Sequence, residues 1–574
     1  MTAGRRLGSS VAWRITKYRA TKSVVRERTA PVGKKNYQTD VLIVGGGPVG
    51  MSLGLDLRAR GVDFLLLEAT DGQVDHPKVG AVGPRSMEFF RGWGLADRIR
   101  SAGWPDDHSL DVAWVTAVGK HEIYRIHFGT AGTRPVPDHT PEADQVCPQH
   151  WLAPLLTDAL GVHPEGPIRF RWRVDGITQH DDKIVATVTA LTSGDTVTVE
   201  AAYAVACDGT SSPIRKACGV DAPSRYQGQV FRNILFRAPR LRAQLGESHA
   251  LVYFLTAPPM LRYPLRSMDG DALYRLTAPG EDSSTTKSPE ELLRMAIALD
   301  TPLQVLSDAP WHLTHRVADH YRVGRIVFAG DAAHTLPPSG GFGMNTGIAD
   351  AADLGWKLDA VLAGWAGPHL LDSYEAERMP VAEASLEQSN RNMDKTVRRE
   401  LPPEIVLDNA EGILARRALA ARLEAGEVRR EFDAPDIHFG YRYRSGLIVT
   451  DPTEDGTETW SSSALPGGRA PHAWLRPGMS TVDLFGSGFV LLSFQPSPHT
   501  ERFQRAFAAC AVPLTVQEVR ADDAARLYGR PHVLVRPDGH VAWRGIELPD
   551  NPHALVNLVR GGSEKQPELL AMVT

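Results

Sequence analysis

The sequence predicts a multidomain α/β protein: a parallel, doubly wound sheet, an antiparallel-sheet domain set into it, and a further domain at the C-terminal end. Three observations predict it. Near the start, an apolar strand runs through a glycine-rich turn into a helix and a second strand. Two more apolar strands, far down the chain, run into Asp-Gly and Gly-Asp turns. Between Val220 and Thr314 the texture shifts to alternating, aromatic-punctuated segments. The chain has 574 residues, of which 42% are hydrophobic. That is too long for one ordinary domain and apolar enough for several cores.

Composition excludes several function classes. Four cysteines (Cys147, Cys207, Cys218, Cys510) without C-x-x-C spacing exclude a disulfide scaffold, a zinc ribbon and a dithiol site. No metal site is expected, and a reducing, cytoplasmic compartment fits. The net charge is −5, unevenly spread: residues 1–38 hold ten Lys/Arg against one acid, Glu27. The remainder carries 53 basic and 67 acidic residues, too acidic for a dedicated nucleic-acid binder. No apolar run of ~18 residues exists to span a membrane. Residues 1–38, Arg-rich and acid-poor, superficially resemble a transit peptide; we read them as a basic disordered extension.

Val41–Val44 is a continuous apolar run, suited to a strand buried on both faces. It enters Gly45-Gly-Gly47-Pro48-Val49-Gly50, a helix-compatible stretch to Arg60, and a second apolar strand that Glu68 closes. Each part has a mechanism. Gly45 permits the tight turn, Gly47 admits a pyrophosphate to the backbone, and Gly50 lets the helix pack on the strand. The helix N-terminus offers unpaired N–H groups to phosphate. Glu68 suits ribose hydroxyls and repels a 2′-phosphate, so this Rossmann-like unit takes FAD or NAD(H).

Tyr203–Cys207 is a third buried strand, followed by Asp208-Gly209. Arg325–Ala329 is a fourth, followed by Gly330-Asp331, His334 and the stretch Pro338-Ser-Gly-Gly341-Phe-Gly343-Met344-Asn345 that opens a helix. With these three motifs in this order, the chain resembles the single-component FAD-dependent aromatic hydroxylases, the group of para-hydroxybenzoate hydroxylase and phenol hydroxylase. The resemblance spans residues 39–400 and, more loosely, the remainder. It implies that Gly45, Gly47, Pro48, Val49, Gly50 and Glu68 hold the ADP half of FAD. Asp208 lies near the pyrophosphate, and Gly330 with Asp331 near the ribityl chain. Gly341, Gly343, Met344 and Asn345 lie against the isoalloxazine, and Pro338 turns its carbonyl toward the transferable oxygen. Gln149 and Lys78 also fit the cofactor pattern, Lys78 standing where relatives often carry arginine. Arg85 is a further candidate.

The resemblance further implies hydroxylation of a phenolic or polycyclic aromatic by NADPH or NADH and O₂ through a flavin C4a-hydroperoxide. An alternative is Baeyer–Villiger-type oxygenation on the same fold. No second G-x-G-x-x-G unit is found, in keeping with transient nicotinamide binding. Tyr253, Arg262, Tyr263 and Tyr274 are the candidates to face substrate, Tyr253 and Arg262 as catalytic groups. The base is not identified.

The expected domains are residues 39–222 and 315–400 for FAD, 223–314 for substrate, a helical connector over 401–454, and 455–574. The last resembles the thioredoxin-like C-terminal domain of phenol hydroxylase, without a dithiol. It is expected to bury a separate core, to be dispensable for the chemistry, and to support a homo-oligomer.

Overall fold

The computed structural model describes residues 26–29, 35–77, 80–161, 166–257, 261, 263–280, 287–397, 399–426, 428–450 and 460–562. In chain order the elements that build the site are β1 (Lys35–Val44), α1 (Pro48–Arg60), β2 (Phe64–Glu68), α2 (Pro84–Gly92), β3 (Val112–Val115), β4 (Glu122–Ile126), α3 (Gln149–Leu160), β5 (Ile168–Phe170) and β6 (Asp195–Ala206). There follow β7 (Gln229–Arg237), β8 (Val252–Leu255), β9 (Pro264–Ser267), β10 (Leu273–Pro279), α4 (Pro289–Ala296), β11 (Gln304–Leu313) and β12 (Ile326–Phe328). The two long helices α5 (Phe342–Leu362) and α6 (Asp372–Val397) come next, then α7 (Ala410–Ala425). The C-terminal unit holds β13 (Phe489–Ser493), α8 (Thr500–Ala509), β14 (Leu514–Glu518), β15 (His532–Val535), β16 (Val541–Gly545) and α9 (Pro552–Val559).

The parallel core of the first sheet runs β12–β6–β1–β2–β5. Val44 sits opposite Leu67 and Ala206, and Ala206 opposite Phe328. The carboxyl ends of four strands therefore align along one edge, where open α/β sheets bind ligands. One expectation is corrected here. Lys35–Gln38 extends β1, and Arg26–Thr29 pairs antiparallel with it, within the segment read as disordered. The long β6 reaches back to pair with Asn36–Thr39, which gives this part of the extension a ladder to join.

The second sheet has seven strands in the order β11–β7–β10–β9–β8–β3–β4. β3 and β4 lie upstream of the expected 223–314 segment, and β3 joins β8 in parallel. Period-2 alternation divides its side chains between two faces. Ala113, Phe236, Tyr253, Leu265, Tyr274 and Leu276 pack with Leu292 and Leu293 of α4. A capping box at Ser288 and Glu291 starts that helix. Trp114, Val252 and Phe254 face the other way and cluster with Leu419 and Leu423 of α7.

The C-terminal sheet runs β14–β13–β15–β16, with β13 and β14 parallel and the remaining pairs antiparallel. This is the thioredoxin-like arrangement. The separate core that was expected is only half present. Val490 and Leu492 pack within the domain with Val533 and Tyr528. Phe489 and Leu491, on the opposite face, share a core with Trp356 and Ala360 of α5, Phe507 and Trp543. Alternation along β13 makes the sheet two-sided, and its second side is covered by the helix that starts at the glycine-rich turn. Among the described residues no helix is long and apolar enough to cross a membrane.

Candidate active site

The first loop is built from close backbone packing. Gly45 adopts φ +112°, and a Cβ there would sit 2.2 Å from the Cys207 carbonyl oxygen. A Cβ on Gly50 would lie 2.1 Å from the Gly45 oxygen. Both positions exclude any side chain. Gly47 is different: it caps α1 with φ −73° and ψ 177°, and a Cβ there meets nothing within 4 Å. Its openness leaves room for a ligand against the backbone, at a helix N-terminus that begins with Pro48. Glu68 braces the loop, accepting hydrogen bonds from Gly46 N–H at 2.6 Å and Thr70 N–H at 2.8 Å.

Val49 seats the first loop against the third and against α5. A Cβ on Gly330 would fall 2.8 Å from its Cγ2, and one on Gly347 at 2.5 Å. The Asp208 loop turns on its own side chain: its carboxylate accepts from Ser212 Oγ at 2.6 Å and Ile214 N–H at 3.1 Å. Burial raises the Asp208 pKa. Arg215 from the same loop donates to the Ala332 carbonyl at 2.6 Å, and Thr210 Oγ1 lies 3.4 Å from Asp331. The second and third loops are thereby joined.

Asp350 of α5 anchors the third loop. It accepts from Gly330 N–H at 3.1 Å, His334 Nε2 at 2.7 Å and Arg378 Nε at 2.8 Å. Burial would raise this carboxyl, but His334 and Arg378 together hold it down to about 2. His334 therefore orients the loop. Beyond it, Pro338 is exposed and its carbonyl accepts the Gly341 N–H at 3.0 Å. Gly341, at φ +67°, caps α5, whose first turn carries Gly343, Met344 and Asn345. The Asn345 side chain is spent internally, accepting from Gly83 N–H and Ser86 Oγ, each at 2.7 Å. It pins the entry to α2 onto α5. Gln149 opens α3 and is half-buried.

The expected substrate-facing groups divide. Tyr253 is corrected: it lies in the core against α4, 2% exposed, its hydroxyl accepting the Ala250 N–H at 2.7 Å. Tyr274 shares that face and donates to the Asp271 carbonyl. Strand alternation turned both away from the opposite side. Tyr263 packs edge-on against Phe231, ring centroids 4.4 Å apart, beside Trp311 and Met393 of α6. Arg262 and Lys78 lie outside the described residues.

Two further arginines stand on the other face. Arg266 and Arg275 are directly opposite each other across β9 and β10. Like charges so placed repel. Burial lowers the pKa of both, Arg275 to about 10 with Arg266 adding to the effect. Arg275 reaches the Pro77 carbonyl of the nucleotide-binding domain. Glu431 is buried near Arg266 and Arg399, and burial outweighs those charges to raise it to about 7. The Asp269-Gly270-Asp271 turn encodes this pairing. A hairpin centred there sets residue 266 opposite 275, which is the signal the sequence held.

A fully buried ion network ties α5 and α6 to the C-terminal hairpin. Arg536 donates to both Glu377 oxygens at 2.6 and 2.8 Å, to Asp353 at 2.9 Å and to Asp538 at 2.6 Å. Lys357 Nζ lies 2.7 Å from both Asp353 and Glu377. On α2, Arg85 pairs with Glu88 at 2.8 Å and donates to the Asp538 carbonyl at 2.7 Å.

Comparison with known proteins gives two family matches: "FAD binding domain" over residues 38–389 and "Aromatic-ring hydroxylase, C-terminal" over 463–560. The chain is similar to RebC, solved with bound 7-carboxy-K252c, at 58% identity and a TM-score of 0.89, covering 92% of this chain and 99% of that one. It is 32% identical to tetracenomycin B2 monooxygenase-dioxygenase of Streptomyces olivaceus, covering 90% of this chain and 97% of that protein. A ternary complex of aklavinone-11 hydroxylase with FAD and aklavinone aligns with a TM-score of 0.75 at 26% identity, covering 91% and 98%.

Proposed function

Because the chain belongs to the FAD-binding-domain flavoprotein monooxygenases that end in an aromatic-ring hydroxylase domain, we propose that it oxygenates a polycyclic aromatic bearing an acidic group, using NADPH or NADH and O₂. The observation that carries the acidic group is the Arg266–Arg275 pair. Two half-buried guanidiniums stand directly opposite each other there, a geometry that a substrate carboxylate would complement. The carboxyl in the name of the RebC ligand agrees with this reading.

The residues present fit FAD. The open backbone at Gly47, the α1 N-terminus and Glu68 would hold its ADP half, and the Gly330–Asp331 loop and the first turn of α5 the rest. When bound, FAD supplies electron transfer from the nicotinamide and activation of dioxygen. The chain's own contributions are positional. Asp350 fixes the third loop, and the α5 N-terminus favours negative charge at its mouth. The arginine pair orients the substrate acid, and Glu431, near 7, can hold or release a proton beside it.

The test is NAD(P)H oxidation by the FAD-loaded protein against polycyclic phenols with and without a carboxyl, with labelled dioxygen and mass spectrometry of products. Oxidation should accelerate with the carboxylated ring and place one labelled oxygen in the product. Rapid oxidation indifferent to every aromatic would identify an oxidase or reductase instead.

A further inference from the structure

The second sheet carries a graded face. Ile234, Phe236, Tyr274 and Leu276 pack on the α4 side, so alternation puts Asn233, Leu235, Arg275 and Thr277 on the opposite side. The arginine row there runs Leu235, Arg275, Arg266 across β7, β10 and β9. One row further along, about 7 Å by strand geometry, Asn233 stands between Thr277 of β10 and Ala309 of β11. The row beyond is closed: Phe231 and Trp311 stack with ring centroids 5.4 Å apart and pack with Met393 of α6.

Asn233 is out of character for its place. Asparagine is depleted in strands, and this one is half-buried at the centre of β7, with Phe231 and Leu235 on either side of it on its own face. The Thr277 hydroxyl donates to its Oδ1 at 3.0 Å. That bond fixes the rotation of the amide, whose Nδ2 donors find no partner among the described residues. Thr277 is itself buried. Ala309, opposite on β11, puts only a methyl group beside the amide.

A fixed amide donor one row from an arginine pair has a chemical complement. Carboxylate oxygens suit the guanidiniums, and a carbonyl or ionised hydroxyl oxygen suits the amide. A ligand that covers such a donor without offering it an oxygen leaves it unmade, which makes the residue a discriminator as well as a contact. The same face looks onto the nucleotide-binding domain. Arg275 reaches the Pro77 carbonyl, and Ser307, opposite Leu235 in the arginine row, lies 3.2 Å from His76 Nδ1.

We propose that Asn233 is a specificity-determining residue, its Nδ2 group donating to an oxygen on the ring system of a substrate whose acid lies on the Arg266–Arg275 pair. With the acid-binding role of that pair as the premise, the preferred polycycle carries a carboxylate and, about 7 Å away along the strand direction, a carbonyl or ionised hydroxyl oxygen. Thr277 holds the amide in the orientation that reads it.

The experiment uses the FAD-loaded full chain and calorimetric titration with three flat probes. They are anthraquinone-2-carboxylate, anthracene-2-carboxylate, which lacks the ring oxygens, and 2-(hydroxymethyl)anthraquinone, which lacks the acid. The wild type should bind the first about five-fold more tightly than the second, the equivalent of one neutral hydrogen bond. In Asn233→Leu that preference should vanish while affinity for anthracene-2-carboxylate does not fall. Thr277→Val, which frees the amide to turn, should lose a smaller part of it. Equal wild-type affinity for the two acids overturns the proposal, and so does an Asn233→Leu protein that weakens both acids alike. If that variant fails to fold, the wild-type comparison and Thr277→Val decide. The premise is tested apart, by the acid against the alcohol: equal affinity there overturns the role of the arginine pair, while a two-acid preference lost in Asn233→Leu still assigns the amide. Absence of binding by either acid overturns both.

Discussion

Replacing Arg536 with methionine removes a cation that joins the C-terminal hairpin to α5 and α6. In the native protein two cations, Arg536 and Lys357, face Asp353, Glu377 and Asp538. Burial raises Asp353 well above the usual carboxylate range, against the pull of Lys357 and Arg536. Burial would raise Glu377 too, but Arg536 and Lys357 hold it near 2. Without Arg536, three buried carboxyl groups are left with one ammonium. Breaking a buried pair on one side costs about 3–5 kcal/mol, and methionine returns only part of the lost packing. The loss should appear as urea unfolding at lower concentration, read by the tryptophans of the shared core, with FAD released in the same transition. Acidification should partly rescue the variant, since an unpaired carboxylate whose pKa has risen is stabilised by taking a proton as pH falls. Arg536→Lys should fall between, having charge without the fork. A loss below about 1 kcal/mol at both pH 8 and pH 5, with FAD retained, would refute the claim that this network couples the domains.

Three other outcomes are expected. Gly47→Val should give a folded but colourless protein, since its Cβ meets only open space, whereas Gly50→Val should destabilise the apoprotein itself through the 2.1 Å clash with Gly45 O; thermal melts and flavin absorbance separate the two. Arg275→Met should raise KM for a carboxylated aromatic at least about ten-fold, one charge-assisted hydrogen bond, and leave KM for the uncharged analogue nearly unchanged, as measured by steady-state NAD(P)H oxidation. Burial holds His438 near 4 against an ordinary 6.5, so its contribution is fully present above pH 6.5 and lost as pH falls toward 4. Over that window stability should drop by roughly 3 kcal/mol from this group, and His438→Phe should flatten that part of the pH–stability profile.

The glycine-rich loops were legible because their chemistry is local. Strand, turn and helix N-terminus follow one another, and the steric reason for Gly45 or Gly50 lies within a few residues or one strand away. Glu68 was legible as a loop-end carboxylate, but its clasp on Gly46 N–H needed the fold. The faces of the second sheet were misread because tyrosine and arginine both suit strands. Only register decides which side each takes, and Tyr253 and Tyr274 fell on the α4 side. Arg266 and Arg275 could have been paired from the turn at Gly270. What no local pattern carries is the sharing of a core between α5 and a domain more than a hundred residues later.

That sharing has a consequence for the nascent chain. Trp356 and Ala360 emerge on α5 long before Phe489, Phe507 and Trp543 exist to cover them. At about 5–20 residues per second, synthesis leaves that apolar stripe bare for on the order of ten seconds or more. A ribosome stalled before β13 would present a nearly finished nucleotide-binding domain with an unsealed tryptophan seam, a target for chaperones. Slow codons upstream of β13 should therefore lower the soluble yield more than the same codons placed after α9.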